Sequence, residues 1–265
     1  AIKRIHRCVC VDPKQLQAFE REVAILQSAR HENLVRLLGV STRELPLQII
    51  TEFCLGGTCF DLLHNASLET SWFQRLKMCF DVANALEYLH DFKPQIIHRD
   101  LKSSNLLLAV PVQSRADVPV VKVADFGLSR MKDNPEGGKD GPWGTMTMDV
   151  GTFHWMAPEV LTGAFYDEKV DIYSFAMILY EFICLRVPFE EEDPSGAVYL
   201  VVQGKRPTLE CVPGDCPEKF QVLMTTCWNH EPSKRPSFAN VKKWLRILAA
   251  EQGFDPQAPN RVVQL

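Results

Sequence analysis

The chain has 265 residues, of which 46% are hydrophobic, and its 29 basic and 33 acidic residues give a formal net charge of −4. This hydrophobic content is enough for a sizeable core, in one large domain or two small ones, and is not that of a disordered chain. The charge balance excludes a basic field of the kind that binds nucleic acid, and the sequence has no polybasic segment for an anionic membrane.

The cysteines and the apolar segments indicate the compartment. Nine cysteines with no C-x-x-C pair favour reduced thiols in a cytoplasmic protein over a disulfide framework. Cys8 and Cys10 have no matching ligand pair, so they are more typical of strand thiols than of a zinc site. No signal peptide is evident, and the most apolar stretch, residues 172–185, is short and contains Glu181. We expect no membrane segment in this chain.

The first part of the chain predicts a small sheet with one helix. Residues 1–5 alternate apolar and basic side chains, which is typical of a half-buried strand. Residues 15–30 have apolar side chains at helical spacing, at Leu16, Phe19, Val23 and Leu26. Two further strands, at residues 33–39 and 46–53, would complete the sheet around a polar turn.

A long helix and a short polar loop follow. Residues 71–90 have the apolar pattern of a core-packed helix. Between the apolar runs that begin at Ile96 and end at Leu108, three side chains supply a proton acceptor, a phosphate contact and a metal ligand, namely Asp100, Lys102 and Asn105. Phosphorylation of a hydroxyl group needs these three functions.

The rest of the chain predicts a loop and then helices. Residues 111–119 have the composition of a surface loop. Residues 170–184, 217–228 and 237–250 predict helices, and residues 251–265 predict a tail.

Three motifs occur in one order: His98-Arg99-Asp100-Leu101 followed by Asn105, then Asp125-Phe126-Gly127, then Ala157-Pro158-Glu159. They resemble the catalytic loop, the magnesium-binding turn and the end of the activation segment of eukaryotic protein kinases. Residues 151–159 are close to the pattern of the tyrosine-kinase-like group of Ser/Thr kinases. The resemblance implies an α+β, two-lobed fold, with a partial β-rich N-lobe at residues 1–53, the hinge and a mainly helical C-lobe at 54–250, and the tail at 251–265.

The resemblance also implies a reaction, the transfer of the γ-phosphate of ATP to Ser or Thr hydroxyls of protein substrates, with ATP and Mg²⁺ as cofactors. Asp100 would orient the hydroxyl and accept its proton, and Lys102 would neutralise the transferring phosphate. Asn105 and Asp125 would hold Mg²⁺. Lys3 would hold the α and β phosphates.

Lys3 needs a partner, and Glu22 on the first helix would orient it; the alternative is that both side chains are simply solvated. Residues 51–57 resemble the hinge between kinase lobes, with Thr51 in the gatekeeper position and backbone groups near Glu52 and Cys54 facing adenine. Asp61 could contact ribose or could be a helix-start residue, and both interpretations stay open.

The family pattern implies three buried contacts as well. Glu159 would pair with Arg235, and Asp171 would hold the backbone of the catalytic loop. A stacked apolar column would link the lobes through Leu26, Leu37, His98 and Phe126. The alternatives are a solvated Arg235 and an ordinary helix-start Asp171.

The family pattern also implies a type of acceptor residue and a mode of regulation. The position of Lys102, with Thr152 placed to bond to Asp100 and Lys102, indicates Ser or Thr acceptors. Arg99 would be neutralised by a phosphate added within residues 129–152, by an upstream kinase or by self-phosphorylation, at Thr145 or Thr147.

The sequence lacks one motif of the family, and an alternative function stays open. No G-x-G-x-x-G glycine set occurs in the chain, and we expect this loop and its strands to lie before Ala1. In the alternative function, the chain is a pseudokinase or scaffold that binds signalling partners without catalysis. A small-molecule kinase has no support, because the activation segment and the Glu159/Arg235 pair belong to the protein-kinase pattern.

Overall fold

The computed structural model describes residues 1–4, 13–42, 46–64, 68–131 and 152–257. Cys8, Cys10 and the threonines proposed for phosphorylation, Thr145 and Thr147, lie outside the described residues.

The first part of the chain forms a three-stranded antiparallel sheet and a helix. Strands β1 (Ile2–Arg4), β2 (Leu37–Ser41) and β3 (Gln48–Thr51) lie in the order β1-β3-β2, with Lys3 opposite Ile49. Helix α1 (Pro13–Ser28) buries Phe19 and Leu26 of the predicted apolar face, whereas Leu16, near its start, is exposed. The predicted sheet and helix are therefore confirmed.

One strand begins later than predicted. Residues 33–35 do not extend β2; instead the amide of Val35 donates to the carbonyl of Val123, and the amide of Val123 donates to the carbonyl of Asn33. The pattern of apolar residues could not distinguish these partners, because either neighbour would bury Leu34 and Val35.

The catalytic-loop region lies between a long helix and short strands. Helix α2 (Cys59–Leu63) precedes helix α3 (Trp72–Asp91), which begins with a capping box between Ser71 and Gln74. Next come β4 (Ile96–Ile97), a 3-10 turn (Ser103–Asn105), β5 (Leu106–Leu108), β6 (Val121–Val123) and β7 (Arg130–Met131). β5 pairs with β6, so the predicted surface loop is the connection of this hairpin, and β4 pairs with β7.

The elements described after residue 152 are mainly helices. After a second 3-10 turn (Thr152–Trp155), they are α4 (Pro158–Leu161), α5 (Lys169–Cys184), α6 (Pro194–Val202), α7 (Glu218–Cys227) and α8 (Phe238–Glu251). Helix α5, which contains most of the apolar stretch 172–185, is buried almost throughout and contributes many residues to the core. Within the described residues, no helix is long and apolar enough to cross a membrane. The α+β organisation agrees with the expected fold.

The first residues of the predicted tail contact the helical region. The ring of Phe254 packs edge-on against Phe73 at 4.6 Å, and Arg246 donates to Gln257 at 2.6 Å. Phe254 and Gln257 therefore connect this segment to α3 and α8.

Candidate active site

The backbone of the predicted catalytic loop is held by one buried carboxylate. Asp171, on α5, accepts hydrogen bonds from the backbone amides of His98 (2.8 Å) and Arg99 (2.9 Å), and lies 2.9 Å from Nε2 of His90. Burial alone would raise the pKa of Asp171, but the hydrogen bond and charge of His90 bring this pKa below its usual value. The role predicted for Asp171 is confirmed. Nothing in the sequence singled out His90.

Arg99 has a strained backbone that its side chain helps to maintain. Its φ of 67° is in the left-handed region, which is costly for a residue with a side chain. The guanidinium donates to the carbonyl of Leu128 (2.5 Å) and to the hydroxyl of Tyr166 (2.7 Å). These bonds, with the Asp171 contact, fix the residue directly before Asp100. The contact of Tyr166 could not be found from sequence, because it joins residues 67 positions apart.

Asp100 has one engaged oxygen and one open oxygen. Its Oδ2 accepts from Nδ2 of Asn105 at 2.9 Å and lies 3.3 Å from Nζ of Lys102. Nδ2 of Asn105 also donates to the carbonyl of Asp100, at 2.7 Å. Oδ1 of Asp100 is buried and has no hydrogen-bond partner among the described residues. A buried acceptor without a donor is costly, so it is suited to receive one from a substrate.

A second cluster joins the sheet, α1 and the turn after β6. Nζ of Lys3 lies 2.8 Å from Glu22 Oε2 and 2.8 Å from Asp125 Oδ1. Burial would lower the pKa of Lys3, but the two carboxylates raise it above its usual value. Burial would likewise raise the pKa of Asp125, yet the charge of Lys3 brings it below its usual value, whereas burial leaves the pKa of Glu22 raised. The predicted Lys3/Glu22 pair is therefore present.

A backbone hydrogen bond connects the loop that carries Asp100 and Asn105 with the turn that carries Asp125. The amide of Ala124, the residue before Asp125, donates to the carbonyl of Asn105 at 2.9 Å. Asp125 itself has a left-handed φ of 62°, and its Oδ1 accepts from the amide of Gly127 at 3.3 Å. A Cβ added at Gly127 would lie 3.3 Å from that oxygen and 3.5 Å from Glu22 Oε2, so the turn has little room for a side chain.

The predicted apolar column is consistent with the packing. The rings of His98 and Phe126 make an edge contact with centroids 5.2 Å apart, and His98 Nε2 bonds to the carbonyl of Ala124 at 3.1 Å. Leu26 and Phe126 belong to the same buried core, against which Leu37 packs.

The residues predicted for the hinge begin at the end of β3, which pairs with the strand that carries Lys3. The amide of Thr51, at the end of β3, donates to the carbonyl of Ala1. The side chain of Glu52 accepts from the amide of Arg36 at 2.8 Å and pairs with Lys122 at 3.0 Å. Cys54 is buried, which raises the pKa of its thiol. The contact with Lys122, which the sequence did not indicate, ties the hinge to β6.

Asp61 and the Glu159/Arg235 pair are both engaged in structural contacts. Oδ2 of Asp61 accepts from the Thr58 hydroxyl at 2.7 Å in the capping box of α2, as the helix-start interpretation requires. Arg235 contacts both oxygens of Glu159, at 2.6 and 2.9 Å, and its side chain is completely buried. The predicted ion pair is confirmed. The predicted bonds of the Thr152 side chain lie outside what the structure describes.

The sequence profile of the family described as "Protein tyrosine and serine/threonine kinase" matches residues 1–245. The chain belongs to this family. The kinase domain is 36% identical over 246 residues to serine/threonine-protein kinase STY17 of Arabidopsis thaliana, covering 92% of this chain and 40% of that protein. Two further Arabidopsis relatives, the serine/threonine-protein kinases VIK and CTR1, are each 38% identical, over 94% and 89% of this chain.

The kinase domain thus spans between 27% and 54% of the length of these three relatives. They are all named serine/threonine-protein kinases, in agreement with the resemblance to the tyrosine-kinase-like group.

Proposed function

We propose that this kinase domain transfers the γ-phosphate of ATP to Ser or Thr hydroxyls of protein substrates. The observation that carries the proposal is the open, buried Oδ1 of Asp100, beside Lys102 on a loop whose backbone is held by Asp171. A hydroxyl donor at this oxygen would satisfy the buried acceptor and would be aligned for attack.

The residues present fit Mg-ATP. Asp125 supplies a carboxylate and Asn105 a carboxamide, and both are oxygen ligands of the kind that Mg²⁺ prefers. Nδ2 of Asn105 donates to Asp100, and its amide oxygen would be the ligand for the cation. The close backbone at Gly127 agrees with a site in which charged groups converge.

The chain's own groups have distinct tasks in this reaction. Bound Mg²⁺ would neutralise negative charge on the phosphates. Lys3, oriented by Glu22, would hold the α and β phosphates. Lys102 would offset the charge that develops on the transferred group, and Asp100 would orient the acceptor hydroxyl and take its proton at Oδ1.

The choice of Ser or Thr over Tyr rests on the relatives' names and on Lys102, which follows Asp100 by two residues. Regulation by phosphorylation within residues 129–152 is part of the proposal. Its support is that Arg99 donates to two uncharged oxygens, of Leu128 and Tyr166, so a phosphate would add a charged partner for the guanidinium.

The test is a transfer assay with the full protein, radiolabelled ATP, Mg²⁺ and a Ser/Thr/Tyr peptide library, followed by phosphoamino-acid analysis. We expect phosphoserine and phosphothreonine. Predominant phosphotyrosine would contradict the acceptor assignment. Nucleotide binding without any transfer would instead favour the pseudokinase or scaffold function.

A further inference from the structure

The thiols of the chain differ in how far solvent can reach them. Of the seven cysteines that the structure describes, all are free thiols and five are buried, whereas Cys211 and Cys216 are partly exposed. Both of these lie in the connection between α6 and α7, where residues 203–217 form no helix or strand. Oxidants react with accessible thiols before buried ones, so we compared the surroundings of these two.

Two hydrogen bonds define the proton positions around Cys211. Its thiol donates to the carbonyl of Thr208 at 3.3 Å, and its Sγ lies 3.2 Å from the hydroxyl of Tyr180 on α5. Because the thiol proton is directed at Thr208, the Tyr180 hydroxyl is the donor in the second contact. Burial, and then the bond with Cys211, raise the pKa of Tyr180, so its hydroxyl keeps its proton at neutral pH. This donor can stabilise negative charge on the Cys211 sulfur.

A second thiol lies beside Cys211 and Tyr180. Cys184 is on α5, one helical turn after Tyr180, so the two side chains lie on the same face of the helix. The thiol of Cys184 is hydrogen-bonded to both Cys211 and Tyr180. Sulfur atoms in hydrogen-bond contact need only a small movement to reach bonding distance, and Cys211 lies outside the helices and strands, where the backbone can adjust.

The two thiols differ in accessibility and in protonation. Cys184 is buried, and this burial, with the hydrogen bond to Cys211, raises the pKa of its thiol. Cys184 therefore stays protonated and is shielded from oxidants in solution. Cys211 is partly exposed and has the Tyr180 donor at its sulfur. Cys211 is thus the sulfur that an oxidant attacks first, and Cys184 is placed to react with the product.

Cys216 is the competing partner, and its surroundings make it less reactive. Burial and then the charge of Asp215 raise the pKa of Cys216 to about 11. Its thiol donates to the carbonyl of Pro217 at 3.7 Å. The protonated thiol, which is a poor nucleophile, is therefore favoured at Cys216. This residue provides an internal control for Cys211, because both are partly exposed in the same connection.

We propose that Cys184 and Cys211 form a reversible disulfide when the protein meets a hydroperoxide. The hydroperoxide oxidises the Cys211 sulfur by two electrons and transfers a hydroxyl group to it, which gives a sulfenic acid and releases an alcohol or water. The Cys184 sulfur then bonds to the Cys211 sulfur, and the Cys184 proton leaves with that hydroxyl group as water. A dithiol reverses the reaction by reducing the disulfide to two thiols and becoming a disulfide itself. The bond closes a loop that contains the whole of α6 and ties it to α5.

The first test maps the bond in the full protein. The reduced, folded protein is treated with a small excess of hydrogen peroxide, the remaining thiols are alkylated, and the peptides are identified by mass spectrometry without reduction. We expect a peptide pair joined through Cys184 and Cys211, which treatment of the oxidised protein with dithiothreitol abolishes. Absence of this pair, or pairing of either residue with Cys216 instead, would overturn the inference.

Three substitutions test the order of the two steps. In Cys184→Ser the sulfenic acid at Cys211 has no thiol to react with, so dimedone, which labels sulfenic acids, should mark Cys211. In Cys211→Ser no label should appear at Cys184. Cys216→Ser is the matched control, and it should form the Cys184–Cys211 bond in the same yield as the wild type. A label at Cys184 in Cys211→Ser would contradict the order, and loss of the bond in Cys216→Ser would contradict the pairing.

Tyr180→Phe tests the hydroxyl donor while it keeps the buried ring. We expect bond formation to slow roughly 3- to 10-fold, the effect of losing about one hydrogen bond. Tyr199→Phe, at an exposed position of α6, is the matched control and should oxidise at the wild-type rate. Equal rates for the two variants would contradict the role of the Tyr180 hydroxyl. Failure of phosphate transfer would leave these results unchanged, because every readout is of thiol chemistry.

Discussion

At the scale of single residues, Lys3 is the cation shared by two carboxylates, although its side chain is half exposed. Lys3→Met should leave Glu22 and Asp125 close together without a counter-charge, and should lower kcat/KM for ATP by at least roughly 100-fold. Arg4→Met is the control, because the neighbouring strand residue points to the opposite face. Steady-state kinetics over a range of ATP concentrations measures the effect. Equal kinetics of the two variants would contradict the role of Lys3.

Candidate site residues could be identified from the sequence where they belong to a short, continuous motif. Asp100, Lys102 and Asn105 lie within six positions, so the resemblance to the kinase catalytic loop identifies them together as candidates. The hydrogen bonds of Glu181 with Ser103 and Trp155 could not be predicted from a local motif, because only the packing of α5 brings these residues together. The contact between Glu52 and Lys122 was missed for the same reason.

At the scale of elements, the hinge depends on close contact between Gly56 and the end of β5. A Cβ on Gly56 would lie 2.3 Å from the carbonyl oxygen of Val110 and 2.5 Å from Cβ of Leu108. Gly56→Ala should therefore displace the hinge, lower the free energy of unfolding by roughly 1–3 kcal/mol and weaken ATP binding.

Gly214→Ala is the matched control for this substitution, because no atom lies within 4 Å of its added Cβ. Urea unfolding and nucleotide titration measure both effects. A Gly56→Ala variant as stable as Gly214→Ala would show that the backbone can move aside without cost.

The buried ion pair between α4 and the segment before α8 should matter for stability. Arg235→Met leaves Glu159 almost fully buried without its partner, so the free energy of unfolding should fall by roughly 3–5 kcal/mol. Lys234→Met, which removes an exposed pair with Glu231, should change it by less than about 1 kcal/mol. In denaturant titrations, a small effect of Arg235→Met would mean that solvent reaches Glu159 in the native state.

Elements with strong periodicity and clear end signals were predicted to within a residue or two. The helix expected at residues 71–90 begins at Trp72 because Ser71 and Gln74 form a capping box. Short elements such as α2 and α4 have too few residues for a periodic signal, and residues 33–35 pair with β6 for reasons that only the tertiary structure contains.

At the scale of the whole molecule, one buried carboxylate gives stability a pH dependence. Asp81 lies 2.7 Å from Nζ of Lys77 and accepts from the amide of Val121 at 3.0 Å. Burial raises the pKa of Asp81 from 3.8 to about 6, and Lys77 offsets only part of that rise. The folded state therefore binds this proton more tightly than the unfolded state, and stability falls as the pH rises from 3.8 through about 6.

The free energy of unfolding of the wild type, minus that of the Lys77→Met/Asp81→Asn variant, should fall by roughly 2 kcal/mol between about pH 4 and about pH 7. Taking the difference removes the contribution of the other titrating groups. Urea unfolding at a series of pH values provides the data. A difference that stays flat or rises with pH would place the pKa of Asp81 at or below its usual value.

The account as a whole depends on Asp100 being the group that receives the acceptor hydroxyl. The most direct measurement is single-turnover transfer from radiolabelled ATP to a Ser/Thr peptide by wild type, Asp100→Asn and Asp193→Asn. The control residue, Asp193, is an exposed helix cap where Asn serves equally well. We predict wild-type rates for Asp193→Asn, and for Asp100→Asn a loss of roughly 10²- to 10⁴-fold with unchanged thermal stability. A folded Asp100→Asn variant that transfers phosphate at nearly the wild-type rate would contradict the account.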